Sequence, residues 1–297
     1  MAEMRLRDGR VLAYNQYGAA DGRPLFYFHG GMSNSKDIAF AHEYCKSAGL
    51  LIIAPDRPGT GKSTRLKGRR VLDWPDDVAD LADHLDIKQA PVMGWSIAGA
   101  SALACGYKHP ERFPRVITVA SSGPVLDDAG IRELGLLGDR LLLRSPRWMD
   151  RPWSMIFKIS SYLPHGFLKS QILGELLNTP DADILSALPD DTVGGYFKGA
   201  VSENGYGIID DYRAVEGPWG FALGEIQSDV RMWHGEKDIV CPLAIAHRLQ
   251  SEMPRAQLTV VPDSGHFLLH RNFELILSQA DLTADAGDAQ SHGQRQR

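Results

Sequence analysis

No apolar run in this chain approaches the roughly 20 residues that a helix needs to cross a bilayer. The opening residues, Met-Ala-Glu-Met-Arg-Leu-Arg-Asp-Gly-Arg, also lack the apolar core of a secretory leader. A soluble, cytoplasmic protein with no membrane span is therefore expected. Cysteine is scarce: Cys45, Cys105 and Cys241 are odd in number, far apart and without metal-ligand spacing. That argues against a disulfide framework and against a zinc site, and the thiols are expected to be reduced. Neither sign of charge dominates, with 37 acidic against 32 basic residues and a net charge of −5. Nothing here calls for nucleic acid or an anionic membrane as partner, so a small, fairly apolar molecule is expected instead. The oligomeric state is left open.

What the chain does have is apolar content and alternation. At 297 residues, 43% of them hydrophobic, it can bury a large core. Met4–Arg7 and Val11–Tyr17 flank Asp8-Gly9-Arg10 and predict two short antiparallel edge strands around a tight turn. Leu25–Phe28 and Leu50–Ala54 are apolar throughout, as buried parallel strands are, with a helical stretch near Lys36–Ser47 between them. Trp74–Leu85 carries Val78, Leu81, Ala82 and Leu85 at helical spacing behind a cluster of acids, which suits the helix dipole. Pro91-Val92-Met93 leads through Gly94-Trp95-Ser96 into an Ala-rich helix that ends at His109-Pro110. Arg115–Ala120, Val230–Trp233 and Gln257–Val261 complete the strands, and helices through Glu252 and over Phe267–Leu277 follow the last two. Strands alternating with helices imply an α/β fold with a mostly parallel central sheet flanked by helices.

From Pro124 to Gly224 the pattern changes. Leu-rich helical segments at Leu134–Leu143, Trp153–Tyr162 and Phe167–Leu177 are broken by prolines, and no strand stands out. A hundred residues cannot form one structureless loop in a compact domain. The expected organisation is a core of residues 1–123 and 225–281 with a helical cap, 124–224, inserted over the catalytic end of the sheet. Residues 282–297 are small, polar and unpatterned, and read as a disordered tail.

Ser96 lies at the bend between a strand and a helix, where only small residues fit two places to either side; Gly94 and Ala98 meet that demand. The segment resembles the nucleophile elbow G-x-S-x-G of the α/β-hydrolase superfamily, with one departure: the second glycine arrives one place late, as Gly99. The resemblance runs from about Leu25 to Leu277. It includes His29-Gly30-Gly31 after the third strand, Asp56-Arg57-Pro58-Gly59-Thr60-Gly61-Lys62-Ser63 after the fourth, His-Gly-x-x-Asp-x-x-x-Pro around Asp238, and Ser-Gly-His around His266. Gly61-Lys62-Ser63 also ends like a phosphate-binding loop. The motif's first glycine would fall on Asp56, however, and no helix is signalled after it, so that reading fails. In the family the Asp-Arg turn is structural and borders the pocket, while the His-Gly turn implies an oxyanion-hole amide at Gly31.

Ser96, Asp238 and His266 thus fall at the C-terminal ends of separate strands, in the chain order described for this fold. A serine hydroxyl is a poor nucleophile at neutral pH, so His266 is expected to take its proton while Asp238 orients the imidazole. The amides of Gly31 and Ile97 would meet the oxyanion. No metal and no organic cofactor is required. The expected activity is serine hydrolysis of a carboxylic ester or lactone. The same three side chains would also serve carbon–carbon hydrolysis or perhydrolysis, and a non-hydrolytic ligand-binding protein is the rival of another class. His29 and His234 read as loop supports, His109 as a helix terminator and Cys241 as packing; Asp127 and Asp128 are minor alternatives for the acid.

Overall fold

The computed structural model describes residues 1–125 and 128–280. Asp127 and the tail beyond residue 280 lie outside the described residues, as does the side chain of Asp128. The strands are β1 (Ala2–Arg5), β2 (Val11–Gly18), β3 (Arg23–Phe28), β4 (Leu50–Pro55), β5 (Val92–Trp95), β6 (Arg115–Val119), β7 (Asp229–Gly235) and β8 (Gln257–Val261). They form one sheet in the order β1-β2-β4-β3-β5-β6-β7-β8. The hairpin of β1 and β2 lies antiparallel on one edge, and every pair from β4 to β8 is parallel.

Helices cover both faces because successive residues of a strand point to opposite sides. Val92, Val116 and Met232 face a core that includes Val78 and Leu81 of α2 (Trp74–His84), Leu103 of α3 (Ala98–Lys108) and Leu249 of α11 (Leu243–Glu252). Their neighbours Met93, Ile117 and Trp233 face the other way, onto Cys45 of α1 (His42–Ser47) and Leu269, Phe273 and Ile276 of α12 (Leu268–Gln279). The first turn of α2 holds Pro75 near its start and Asp76 and Asp77 against its N-terminal dipole, as its sequence demands.

Between β6 and β7 the chain is helical: α4 (Asp128–Glu133), α5 (Leu137–Arg144), α6 (Asp150–Ser160), α7 (His165–Glu175), α8 (Pro180–Ala187), α9 (Asp190–Ala200) and α10 (Tyr206–Val215). Of the helical segment expected at Leu134–Leu143, residues 134–136 are not helical and separate α4 from α5, which begins at Leu137. Three more, α8 to α10, lie where the sequence marked out no separate helix. Two adjacent glycines, Gly194 and Gly195, weaken α9, each costing about 1 kcal/mol relative to alanine. Gly207 of α10 lies so close to the core that a Cβ there would come within 2.2 Å of the Gly59 carbonyl oxygen. Tertiary contact, not propensity, holds α9 and α10 over the loops that follow β3 and β4.

Candidate active site

The loop after β5 makes the sharpest turn. Ser96 has φ 58°, in the left-handed region that costs a non-glycine residue about 1–3 kcal/mol. It is held there because its N–H donates to the Val119 carbonyl at 2.9 Å and its own carbonyl accepts from Gly99 N–H at 3.0 Å. A Cβ at Gly94 would lie 2.3 Å from the Ala98 carbonyl oxygen, so that position admits only glycine. The late second glycine has its own reason: a Cβ at Gly99 would lie 1.8 Å from Ser121 Oγ. The Ala98 methyl is buried in the apolar core beneath the turn.

His266, between β8 and α12, is the centre of a hydrogen-bonded chain. Its Nε2 is 2.9 Å from Ser96 Oγ and its Nδ1 is 2.9 Å from Asp238 Oδ2. An ionised carboxylate can only accept, so Nδ1 carries the proton and the Nε2 lone pair faces the serine hydroxyl. Asp238 is itself fixed: its Oδ1 accepts the amides of Val240 at 2.8 Å and Cys241 at 2.9 Å. Burial works against the charged imidazole, but Asp238, with Asp181 and Asp139 behind it, outweighs burial and raises the pKa of His266 above its ordinary value. His234 Nε2 is 3.5 Å from Asp238 Oδ2 and donates to the Cys241 carbonyl at 2.6 Å. Burial lowers its pKa, so it is a neutral support of that loop. His109, the C-cap of α3, pairs with Asp76 on the surface, remote from this chain of bonds.

The His29-Gly30-Gly31 loop faces the elbow, with the Cα of Gly31 placed so that a Cβ would lie 3.5 Å from Ile97 Cγ2. The peptide between Gly30 and Gly31 is held from behind: its carbonyl accepts Arg57 Nη2 at 3.0 Å and His29 Nδ1 at 2.9 Å. Peptide planarity then aims the Gly31 N–H the opposite way. Among the described residues neither the Gly31 nor the Ile97 amide donates a hydrogen bond within the chain. His29 Nε2 accepts the Arg57 amide at 3.2 Å, which leaves Nδ1 as the donor; burial and the neighbouring guanidinium push its pKa far down, so it stays neutral. Ser63 is also structural, donating to the Asp56 carbonyl at 2.7 Å and accepting the Ala13 amide at 3.0 Å.

Beside this loop opens a cavity of about 500 Å³, walled mainly by Trp95, Phe157, Leu168, Val193 and Phe197 and reaching Gly31 and Phe267. Among the described residues no group of three or more His, Cys, Asp or Glu is arranged to hold a metal ion, and no helix is long and apolar enough to cross a membrane. Cys45, Cys105 and Cys241 are free and buried.

A family model of the alpha/beta hydrolase fold matches residues 23–273. The chain belongs to that family. Its activity class is accordingly hydrolysis. The chain is 26% identical over 230 residues to the pimeloyl-[acyl-carrier protein] methyl ester esterase of Aromatoleum aromaticum, covering 75% of this chain and 84% of that protein. The esterase of Exiguobacterium antarcticum superposes with a TM-score of 0.69 at 19% identity over 94% of this chain and 99% of that one. The enol-lactonase of Burkholderia xenovorans does so with 0.68 at 15% identity over 95% and 99%.

Three polar groups near the site carry no local sequence motif. Asp181 of α8 accepts the amides of His266 and Phe267; Asp139 of α5 accepts the Tyr212 hydroxyl at 2.7 Å; Asp211 of α10 pairs with Arg57. Only Thr179-Pro180-Asp181 gives any signal, and it marks a capped helix start, not a contact with residue 266.

Proposed function

We propose that the chain is a serine hydrolase that cleaves carboxylic esters or lactones of small to medium apolar substrates through an acyl-enzyme. The observation that carries this reading is the unbroken line Ser96–His266–Asp238 beside two unengaged amides, with an apolar cavity that reaches Gly31 and Trp95. Residues 1–123 and 225–281 would be the catalytic core and 124–224 the cap. Three unpaired buried thiols suit a reducing compartment such as the cytoplasm.

In this mechanism Ser96 Oγ attacks the carbonyl carbon as its proton passes to His266 Nε2, and the carbonyl π pair moves onto oxygen. Gly31 and Ile97 N–H groups hold that oxyanion, each worth about 3 kcal/mol in the transition state. Collapse expels the alkoxide, which takes the proton from Nε2. His266 then deprotonates a water that attacks the acyl carbon, and the serine oxygen leaves with that proton. Asp238 holds the tautomer and offsets the transient imidazolium charge. The strained turn at Ser96 serves the same end, presenting Oγ at the tip of the bend.

The test is covalent labelling with a fluorophosphonate alongside turnover of p-nitrophenyl butyrate. Wild type is expected to label and turn over, and Ser96→Ala to do neither. Equal labelling of the variant would remove Ser96 from the mechanism. A panel of esters, lactones, peracid-forming conditions and ring-cleavage diketones separates ester hydrolysis from the related chemistries.

A further inference from the structure

We infer that Asp181, supplied by the helical insertion, is a positioning residue that holds the His266 turn in register with Ser96 and steadies the imidazolium formed during turnover. The inference rests on the reading of His266 as general base. Thr179 caps α8 by accepting the Asp181 N–H at 3.3 Å, and Pro180 occupies the first turn. The Asp181 side chain is thereby directed away from its own helix and into the core, where it is fully buried. Its Oδ2 accepts the His266 amide and its Oδ1 the Phe267 amide, both at 2.8 Å. Those amides open α12, whose N-cap has no side-chain partner of its own. One carboxylate from a distant helix therefore does what a capping side chain does locally.

The contact is tight on both sides. A Cβ at Gly265 would sit 2.3 Å from Asp181 Oδ2, so the turn bends around the carboxylate with no space left over. Both oxygens accept, which is the bonding of the ionised form, although burial pushes its pKa up against the pull of the two amides. The charged and titratable groups facing His266 are Asp238 from the β7–α11 loop, Asp181 from α8, Asp139 from α5 and the neutral His234 from β7. Asp238 bonds the ring, whereas Asp181 bonds the backbone that carries it. Leu188, at the C-terminal end of α8, lines the apolar cavity. One end of α8 thus adjoins the cavity and the other holds the backbone of the base.

The experiment compares wild type with Asp181→Asn and Gly265→Ala in kcat, KM, the pH profile of kcat/KM and thermal melting, on p-nitrophenyl butyrate. Asp181→Asn is expected to lower kcat on the order of tenfold with KM little changed. It should also move the acid limb of kcat/KM down by about half a pH unit or more, because the imidazolium loses a facing negative charge. Gly265→Ala disturbs the same contact from the core side, so the double variant should be no slower than the slower single one. A merely structural role would lower the melting temperature and leave the acid limb in place. Cooperatively melting variants with the wild-type limb and additive effects would overturn the inference. Wild type that neither labels nor turns over would instead overturn the reading of Ser96 and His266, so the two failures are distinct.

Discussion

Arg57 and Asp211 form a bidentate ion pair at 2.8 and 2.9 Å, with both side chains buried, one in the turn after β4 and the other in helix α10. Arg69 closes on the same carboxylate. Burial alone would raise the pKa of Asp211, but the two guanidinium groups overcome it and hold the carboxyl well below the ordinary carboxylate range. The free ends of Arg57 go to the carbonyls of His29 and Gly30, behind the Gly31 amide. The pair thus ties the helical insertion to the peptide proposed to hold the oxyanion.

Arg57→Ala leaves Asp211 buried with half its partners and frees the Gly30–Gly31 peptide. A stability loss of about 3–5 kcal/mol is expected, with kcat down on the order of tenfold or more in the folded fraction. Arg57→Lys keeps the charge but loses the fork, so it should recover stability more than kcat. Denaturant melts and steady-state kinetics on the same preparations check this; recovery of kcat by lysine would dissociate the guanidinium from the oxyanion loop. The pH dependence has a definite sign. Because the folded-state pKa of Asp211 is depressed, its stabilisation is full above the ordinary carboxylate value and is lost as pH falls towards the lower folded value.

The elbow departs from the usual pattern for a reason that makes a reciprocal prediction. Gly99→Ala drives a methyl into Ser121, at 1.8 Å from its Oγ and 2.5 Å from its Cβ, and should cost about 1–3 kcal/mol along with most activity. Ser121→Gly removes both atoms, so the double variant should regain stability and turnover relative to Gly99→Ala alone. Ala98→Gly should retain activity and lose only about 1 kcal/mol, from helix propensity and a small void. Thermal melting and butyrate turnover decide it; a double variant as impaired as Gly99→Ala would show that the constraint lies elsewhere.

How much of this was legible in the chain follows from where each signal is local. The strands β3, β5, β7 and β8 each lead directly into a motif with its own spacing, so Gly31, Ser96, Asp238 and His266 stood out as candidates from the chain alone. The hairpin of β1 and β2 was equally plain, apart from a shift of two residues at each end of β1, where the edge strand is short. The insertion was legible as helical but not helix by helix, since α8, α9 and α10 are packed by distant contacts: Asp181 on the His266 turn, Gly194 on His165 and Gly207 on Gly59. For the same reason Asp139, Asp181 and Asp211 were invisible. Each acts on a partner more than 70 residues away, and an isolated aspartate in a helical stretch ordinarily reads as solvated surface.

Asp139 offers a stability test with the opposite sign to Asp211. Burial pushes its pKa up to about 6, despite the hydrogen bond from Tyr212. A carboxyl whose folded-state pKa is raised costs stability as pH rises through the interval between the unfolded and folded values, and that cost is complete above the folded one. Asp139→Asn keeps the acceptor for Tyr212 and removes the buried charge. It should therefore melt higher than wild type, and its advantage should grow by about 1 kcal/mol, or some 2–4 °C, between pH 5 and pH 8. An advantage independent of pH would mean that the carboxyl does not titrate in this range.

The cavity also predicts a preference between substrates of equal length. Its walls include Phe157, Phe167, Leu168, Ile172, Val193 and Phe197, and among the described residues lining it the one charged side chain is Glu175. A neutral acyl chain exchanges water for apolar contact there, gaining about 0.8 kcal/mol per buried methylene. A chain ending in carboxylate would be desolvated against that carboxylate with no cation among the lining residues to receive it. The kcat/KM for p-nitrophenyl esters should accordingly rise from acetate to hexanoate by about three- to fourfold per methylene while the cavity fills. The hemi-ester of a dicarboxylic acid of matching length should be at least about tenfold poorer than its neutral counterpart. Glu175→Gln should narrow that gap by relieving like-charge repulsion, and Glu175→Lys should narrow it further or invert it. Equal rates for charged and neutral esters in wild type would place the acyl chain outside this cavity.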